Sequence, residues 1–478
     1  MKPDLLARSA VLLLAALGLS ACAGLSDLPA PASLRDASSL GLPTAPDATL
    51  ALDGQWWREF GDAQLNRLMD QALASNPSLK IVQARLLRAQ AGADATGAAD
   101  APQLVAGLDA MQQKFTANGL YPPPLAGSIY ETGTAQLSGS WELDFFGKNR
   151  AALDAALGSV RASEADAAAA RTLLASNVAR SYFQLVRLNE QLVVAQRLLA
   201  QRTQTLTLVR DRVNAGLDTR LELRQSEGTL PDARLQIEGL QEQLTLGRHA
   251  LGALLGQPQA ALAIELPPMA AIKNAAVAAT LPSDLLGRRA DIAAARWRVE
   301  AATRDVSSAR AQFYPNVNLV AFAGFSSIGL DRLLGAGSEQ WGVGPAVRLP
   351  LFDGGRLRAN LRGKAADLDA AIESYNAAVI EAVREVADQL ASVQSIGRQQ
   401  TEQRAAQASA ENAYQIALQR FEAGLVNRLS LLNAETAVLN QRRQGVDLAA
   451  RALDSQVALM RALGGGYRAD LPPATARK

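Results

Sequence analysis

The side chains that most often do chemistry are scarce in this chain of 478 residues, which holds one cysteine and one histidine. The cysteine, Cys22, closes the run Leu19-Ser20-Ala21-Cys22, behind Lys2, Arg8 and an apolar core from Ala10 to Leu19. That core falls short of the roughly 20 apolar residues that a spanning helix needs, and it reads as an export signal. Small residues before Cys22 suit a signal-peptidase cleft, and the thiol is a nucleophile on which diacylglycerol can be attached. Residues 1–21 are therefore expected to be a lipoprotein signal peptide, and 22–60 a lipidated tether that starts at Cys22. Ala23 stands where an aspartate would mark retention at the inner membrane, so the expected address is the outer membrane. Each buried methylene of the acyl chains adds about 0.8 kcal/mol, so a multiply acylated cysteine anchors firmly.

The same scarcity excludes other chemistry. One cysteine allows neither an internal disulfide nor a thiolate cluster. His249, alone in a helical stretch, is expected to be a surface residue and not a metal ligand. The glycine-rich stretch from Gly335 to Gly344 lacks a following Lys-Ser/Thr, so it is no phosphate cradle. Asp144-Phe145-Phe146-Gly147 reads as a strand end and turn. Carboxylates abound on the helices, but nothing gathers two of them into a cleft. The net charge is +2 and the basic residues are interspersed with acidic ones, which argues against nucleic acid. No enzyme activity, cofactor or metal is expected.

What the chain does repeat is a turn. Arg212-Val213-Asn214-Ala215-Gly216-Leu217-Asp218-Thr219-Arg220-Leu221-Glu222-Leu223 recurs 208 residues later as Arg420-Phe421-Glu422-Ala423-Gly424-Leu425-Val426-Asn427-Arg428-Leu429-Ser430-Leu431, with seven of twelve positions identical. Glycine ends the helix in both copies, as at a C-cap, and Asp218-Thr219 can begin the next helix in the first. Each copy is thus the tip of a helical hairpin, and the duplication points to an internally repeated fold.

The elements that carry these tips are long. Lys148 to Asn214 contains no proline, and 67 residues at about 1.5 Å each reach roughly 100 Å. Val178, Leu185, Leu192, Leu199, Leu206 and Val213 recur every seven residues, as packing against neighbouring helices requires. A second long helix, from about Arg356 to Glu422, keeps Ile372, Val379, Val386 and Val393 in the same phase. Return helices are expected to about Leu255 and Leu463, the first kinked or interrupted by Pro231. Shorter helices are expected from Asp62 to Asn76, Ser78 to Thr96 and Asp291 to Phe313. Looser alternation marks four strands, Pro102–Phe115, Glu131–Phe145, Asn316–Ser326 and Trp341–Leu351, joined pairwise by loops containing Pro122-Pro123-Pro124 or several glycines. Strands of this length suit a tilted transmembrane barrel.

The expected fold is mainly α with membrane β, built from duplicated long helical hairpins and four strands per chain. Four strands cannot close in lipid, where an open edge is forbidden, but three chains supply twelve. A homotrimer would set a 12-stranded β-barrel on a periplasmic α-barrel. The expected division is 61–280 for the first repeat, 281–466 for the second and 467–478 for a C-terminal tail.

The chain resembles the TolC-type outer-membrane efflux factors, in particular their NodT-type lipoprotein branch. The likeness rests on Trp56-Trp57, Phe60 and Asp62-Ala63-Gln64-Leu65; on Leu281-Pro282-Ser283-Asp284-Leu285-Leu286 with Arg288-Arg289 and Asp291-Ile292; on Phe313-Tyr314-Pro315; on Gly344-Pro345 with Leu349-Pro350-Leu351-Phe352-Asp353-Gly354-Gly355-Arg356; on the Ala-Gly-Leu turns; and on Ala462-Leu463-Gly464-Gly465-Gly466. The resemblance implies an outer-membrane duct that takes substrate from an inner-membrane resistance-nodulation-division pump through a periplasmic membrane-fusion adaptor. It implies docking of the adaptor at Ala215, Gly216, Leu217, Ala423, Gly424 and Leu425, and a periplasmic gate involving Arg420, Arg428, Ser430 and Asn433. Family members often carry an aspartate where Asn433 stands, and some a further one at Ser430, so a cation-selective acidic ring is not expected here. A periplasmic coiled-coil scaffold lipoprotein is the alternative, though it leaves the four strands unexplained.

Overall fold

The computed structural model describes residues 32–35, 53–261, 264–275 and 285–467. The signal peptide, Cys22, most of the tether, the Leu281–Asp284 part of the family motif and all of the C-terminal tail after residue 467 lie outside them. In chain order the elements are α1 (Ala63–Ser75), α2 (Pro77–Gly97), β1 (Gln103–Lys114), β2 (Ile129–Leu143), α3 (Lys148–Asn214), α4 (Arg220–Leu254), α5 (Leu285–Arg288), α6 (Ala290–Ala311), β3 (Asn316–Ile328), β4 (Glu339–Arg348), α7 (Arg356–Glu422) and α8 (Arg428–Ala462). The duplication is metrical: α3 and α7 have 67 residues each, and α4 and α8 have 35 each. Pro77 opens α2 at the first helical position, where its missing N–H costs nothing. β4 ends at Arg348, short of the expected Leu351, because its ladder partner β3 begins at Asn316, opposite Arg348.

The chain forms two compact units. The first takes Arg85–Ser163 and Ala294–Tyr375, with the described residues up to Leu34. Its centre is one antiparallel sheet in the order β1-β2-β3-β4, so the hairpins of the two repeats join through β2 and β3. Gln103 pairs with Ser140, Leu143 with Val317, and Asn316 with Arg348. β1 and β4 each have one partner and leave an open edge. Leu104, Val105, Leu108 and Met111 on β1 are exposed, as are Trp341, Val343 and Val347 on β4. A large uncovered apolar surface of this kind marks a face that water is not meant to see. Below the sheet Val306, Ala309 and Leu361 pack α6 on α7.

The second unit takes Glu164–Ala293 and Asn376–Lys478, with Arg35–Ala84, insofar as these are described. Its core gathers Trp56, Trp57 and Phe60 with Leu65 and Met69 of α1, Val178, Tyr182, Phe183 and Leu185 of α3, Leu251 of α4, and Val457 and Met460 of α8. Phe60 meets Phe183 edge-on at 5.0 Å. Asp62 caps α1 by accepting from Gln64 N at 2.7 Å and, through its other oxygen, from the Tyr182 hydroxyl at 2.6 Å. Burial, then that hydrogen bond and the carboxylate charge, hold the Tyr182 phenol well above its ordinary pKa. The expected heptads are buried here: Val178, Leu185, Val379 and Val386 are fully covered, whereas Leu192, Leu199 and Val393 are partly so.

Pro231 does not interrupt α4, which is continuous from Arg220 to Leu254. Around it Thr229 Oγ1 donates to Ser226 O at 2.8 Å, and Arg202 Nη1 donates to Thr229 O at 2.8 Å, which ties α3 to this stretch of α4. Leu230 and Ala233, both buried, hold the helix on either side.

Candidate functional site: the two hairpin tips

The two Ala-Gly-Leu turns fold alike, as their shared residues require. Gly216 and Gly424 have φ of 74° and 72°, the left-handed region that glycine enters without penalty. Leu217 N donates to Arg212 O at 2.8 Å, and Leu425 N to Arg420 O at 2.8 Å, so orphan carbonyls of α3 and α7 are satisfied identically. Leu217 and Leu425 project into solvent, 66% and 70% exposed, and both glycines leave open space around a would-be Cβ.

Where the copies differ, they differ in charge. In the first tip Arg212 donates from Nε and Nη2 to both oxygens of Asp218, at 2.8 and 2.7 Å. Thr219 and Glu222 form a reciprocal capping box at the start of α4. In the second tip Val426 takes the place of Asp218, and Ser430 that of Glu222. Asn427 caps α8 by accepting from Ser430 N at 2.9 Å. Of the four tip arginines, which the sequence leaves open as solvated charges or as partners of acidic neighbours, Arg212 thus stitches its own turn together. Arg420, its counterpart, is exposed and has no hydrogen bond or ion pair among the described residues.

Of the other gate candidates, Arg428 opens α8 with Nη2 at 3.5 Å from Gln204 Oε1. Ser430 is engaged in the cap, its Oγ 2.9 Å from Asn427 Oδ1, and Asn433 is exposed on the next turn. Glu227 and Glu435, the paired glutamates of the two repeats, take Arg224 at 2.8 Å and Arg197 at 3.8 Å respectively. Gln201 donates to the Leu432 carbonyl at 2.7 Å, tying α3 to α8 just behind the tips. Among the described residues no group of His, Cys, Asp or Glu could hold a metal ion. No described helix is long and apolar enough to cross a membrane.

The hydrogen bond from Arg212, and to a lesser degree its charge, hold the Asp218 carboxyl below its ordinary value despite some desolvation. A depressed carboxylate adds stability above its unfolded pKa, near 3.8, that is lost as pH falls through the lower folded value. Amide-exchange protection of Gly216 and Leu217, corrected for intrinsic rates, is therefore expected to be flat from about pH 7 to pH 5 and to fall below about pH 3.8. Asp218→Asn should remove that acid dependence and lower protection at neutral pH. Equal protection in the variant would show that the ion pair does not hold the turn.

The tips and the open sheet coincide in a known family. Residues 68–257 and 281–465 match the outer membrane efflux protein family. The multidrug resistance outer membrane protein MdtQ of Escherichia coli O6:H1 is 34% identical over 428 residues, covering 87% of this chain and 88% of that one. The pyoverdine export outer membrane protein OpmQ of Pseudomonas aeruginosa is 33% identical over 466 residues, covering 97% and 96%. The crystal structure of the outer membrane protein VceC from Vibrio cholerae superposes with a TM-score of 0.80 at 37% identity, over 87% of this chain and 100% of that one. The chain belongs to the outer membrane efflux protein family. It is an outer-membrane efflux channel protein, and its mainly helical fold with four antiparallel strands is the fold of such channels.

Proposed function

We propose that three copies of this chain close a twelve-stranded barrel in the outer membrane and pass drug-sized molecules outward from an inner-membrane pump. The observation that carries the reading is the sheet of four strands with both edges open and apolar residues exposed. Lipid tolerates only closed barrels, and β1 of one copy beside β4 of the next closes the ring. The long hairpins then form the periplasmic duct. The tips around Gly216 and Gly424 receive the adaptor of a resistance-nodulation-division system, and Arg420, Arg428, Ser430 and Asn433 line the entrance. Cys22 carries the lipid anchor. The division into a tether to residue 60, repeats meeting at 280/281 and a tail after 466 belongs to the same reading. Choice of substrate rests with the pump, since a water-filled duct is permissive.

Reconstitution in planar bilayers tests the channel. Folded protein is expected to conduct, more so after Arg420→Ala and Arg428→Ala, with little preference for cations because the entrance has no ring of acids. Silent bilayers from folded wild type and from both variants would overturn the proposal.

A further inference from the structure

The first unit holds a cavity of about 650 Å³ where the strands meet the starts of the long helices. Its lining includes Glu142, Lys148, Asn149, Arg348 and Arg356, with Phe146 and Tyr314 stacked at 5.0 Å and 10° in its wall. Three cations face two acids there, and both acids are already engaged. Lys148 pairs with Glu142 at 2.5 Å, and Asp144 accepts from Arg150 N at 2.8 Å to cap α3. Arg348 and Arg356 are left with no side-chain hydrogen bond or ion pair among the described residues. Asn149, 7% exposed, has an Nδ2 with no hydrogen-bond partner at all. A buried amide donor left unpaired costs about 1–3 kcal/mol, which marks a place built for an acceptor.

The N-terminal ends of α3 and α7, at Lys148 and Arg356, both reach this cavity, and each is already capped by a carboxylate, Asp144 for α3 and Asp353 for α7, so the arginine side chains carry the site's attraction for an anion. Beside the polar lining the chain turns apolar and exposed: Phe145 is 69% exposed, and Leu351 and Phe352 are 80% and 94% exposed. Two arginines without a side-chain hydrogen bond or ion pair among the described residues, an unpaired amide donor and a hydrophobic flank together match a singly charged phosphodiester that carries acyl chains. A zwitterionic headgroup would bring its own cation against two arginines.

We propose that this cavity binds the phosphodiester of an anionic phospholipid where the strands leave the membrane. The proposal rests on the reading of the strands as a membrane barrel. Arg348 and Arg356 hold the phosphate oxygens, Asn149 Nδ2 donates to a third, and the acyl chains lie along Phe145, Leu351 and Phe352. The lipid would thereby fix the joint between barrel and duct.

Native mass spectrometry of the full-length assembled protein in detergent tests it, with phosphatidylglycerol, phosphatidylcholine and inorganic phosphate as separate probes. Phosphatidylglycerol is expected to fill up to one site per copy at about tenfold lower concentration than phosphatidylcholine, as one charge-assisted hydrogen bond would give. The double variant Arg348→Gln/Arg356→Gln should erase that preference, and Asn149→Asp should weaken it by setting a carboxylate where a donor stood. Equal binding of the two lipids by wild type, or an unchanged preference in both variants, overturns the proposal. Inorganic phosphate bound without any phosphatidylglycerol also overturns it, as a site for a free anion. Conductance of the same preparation separates the two readings: a conducting protein without lipid preference sinks this inference alone, whereas silence from wild type and from the Arg420→Ala and Arg428→Ala variants sinks the channel.

Discussion

Replacing Arg289 by alanine is expected to cost about 3–5 kcal/mol, because it takes from Asp291 and Glu385 the buried cation that they share. The Arg289 side chain is 9% exposed and donates to Asp291 at 2.6 Å, Glu385 at 2.8 Å and the Ala462 carbonyl at 3.1 Å. Burial alone would lower its pKa, but the two carboxylates override that and hold it above the ordinary value. Three elements meet in this clasp: the start of α6, the middle of α7 and the last turn of α8. Glycine makes the meeting possible. A Cβ on Gly464, at φ 96°, would stand 1.8 Å from the Arg288 carbonyl oxygen, so only glycine lets the chain pass after α8. Arg461 reaches the same Glu385 at 3.1 Å and leaves it less than fully stranded, which places the expected loss toward the lower end of the range. Thermal unfolding in detergent, followed by circular dichroism, measures the loss. Arg289→Met with Glu385→Leu should recover part of it, since the buried pair is then removed together and the ions that lose a partner, Asp291 and Arg461, are 49% and 37% exposed. A midpoint unchanged in Arg289→Ala would show that the clasp is ornamental.

That network also shows what the sequence could and could not disclose. The heptads from Val178 to Val213 and from Ile372 to Val393 announced helix packing, because a period of seven is a local property. The glycine turns were equally local, and the four strands emerged from alternation with errors of only a few residues at their ends. Arg289-x-Asp291 and the triple glycine at 464–466 were visible only as family motifs. Their meaning depends on Glu385, 96 residues from Arg289, which no spacing rule connects to them. Asp62 was read as a helix start, yet its second oxygen anchors Tyr182, 120 residues away. Of the kink or interruption expected at Pro231, the interruption does not occur: Leu230 and Ala233, buried on either side, belong to one continuous helix. At the tips the two copies looked alike in Arg, Gly and Leu, and the decisive difference was Val426 against Asp218.

That difference orders the effects of breaking the tips. Gly424→Pro is expected to abolish efflux, with export falling to the level of a strain lacking the channel, while membrane insertion and trimer formation persist. Proline fixes φ near −65° and has no N–H, whereas Gly424 sits at φ 72° and donates to Phe421 O at 2.9 Å. The turn must therefore rearrange, and Leu425 loses the place from which a partner can grip it. Crowding plays no part, because nothing lies within 4 Å of a Cβ at this position. Gly424→Ala, which strains the backbone by only about 1–2 kcal/mol, should consequently retain much of its export. None of the ladder pairs of the sheet involves this turn, so assembly is spared. Gly216→Pro should do less damage: the Arg212–Asp218 pair and the Thr219–Glu222 box still tie the first tip across its broken cap. Arg420, with Val426 at the position of Asp218, has no such pair to fall back on among the described residues. Drug-resistance complementation, with trimers counted in outer-membrane fractions, measures all three variants. Full resistance in Gly424→Pro would remove the second tip from the docking surface, and a worse loss in Gly216→Pro would reverse the assigned asymmetry.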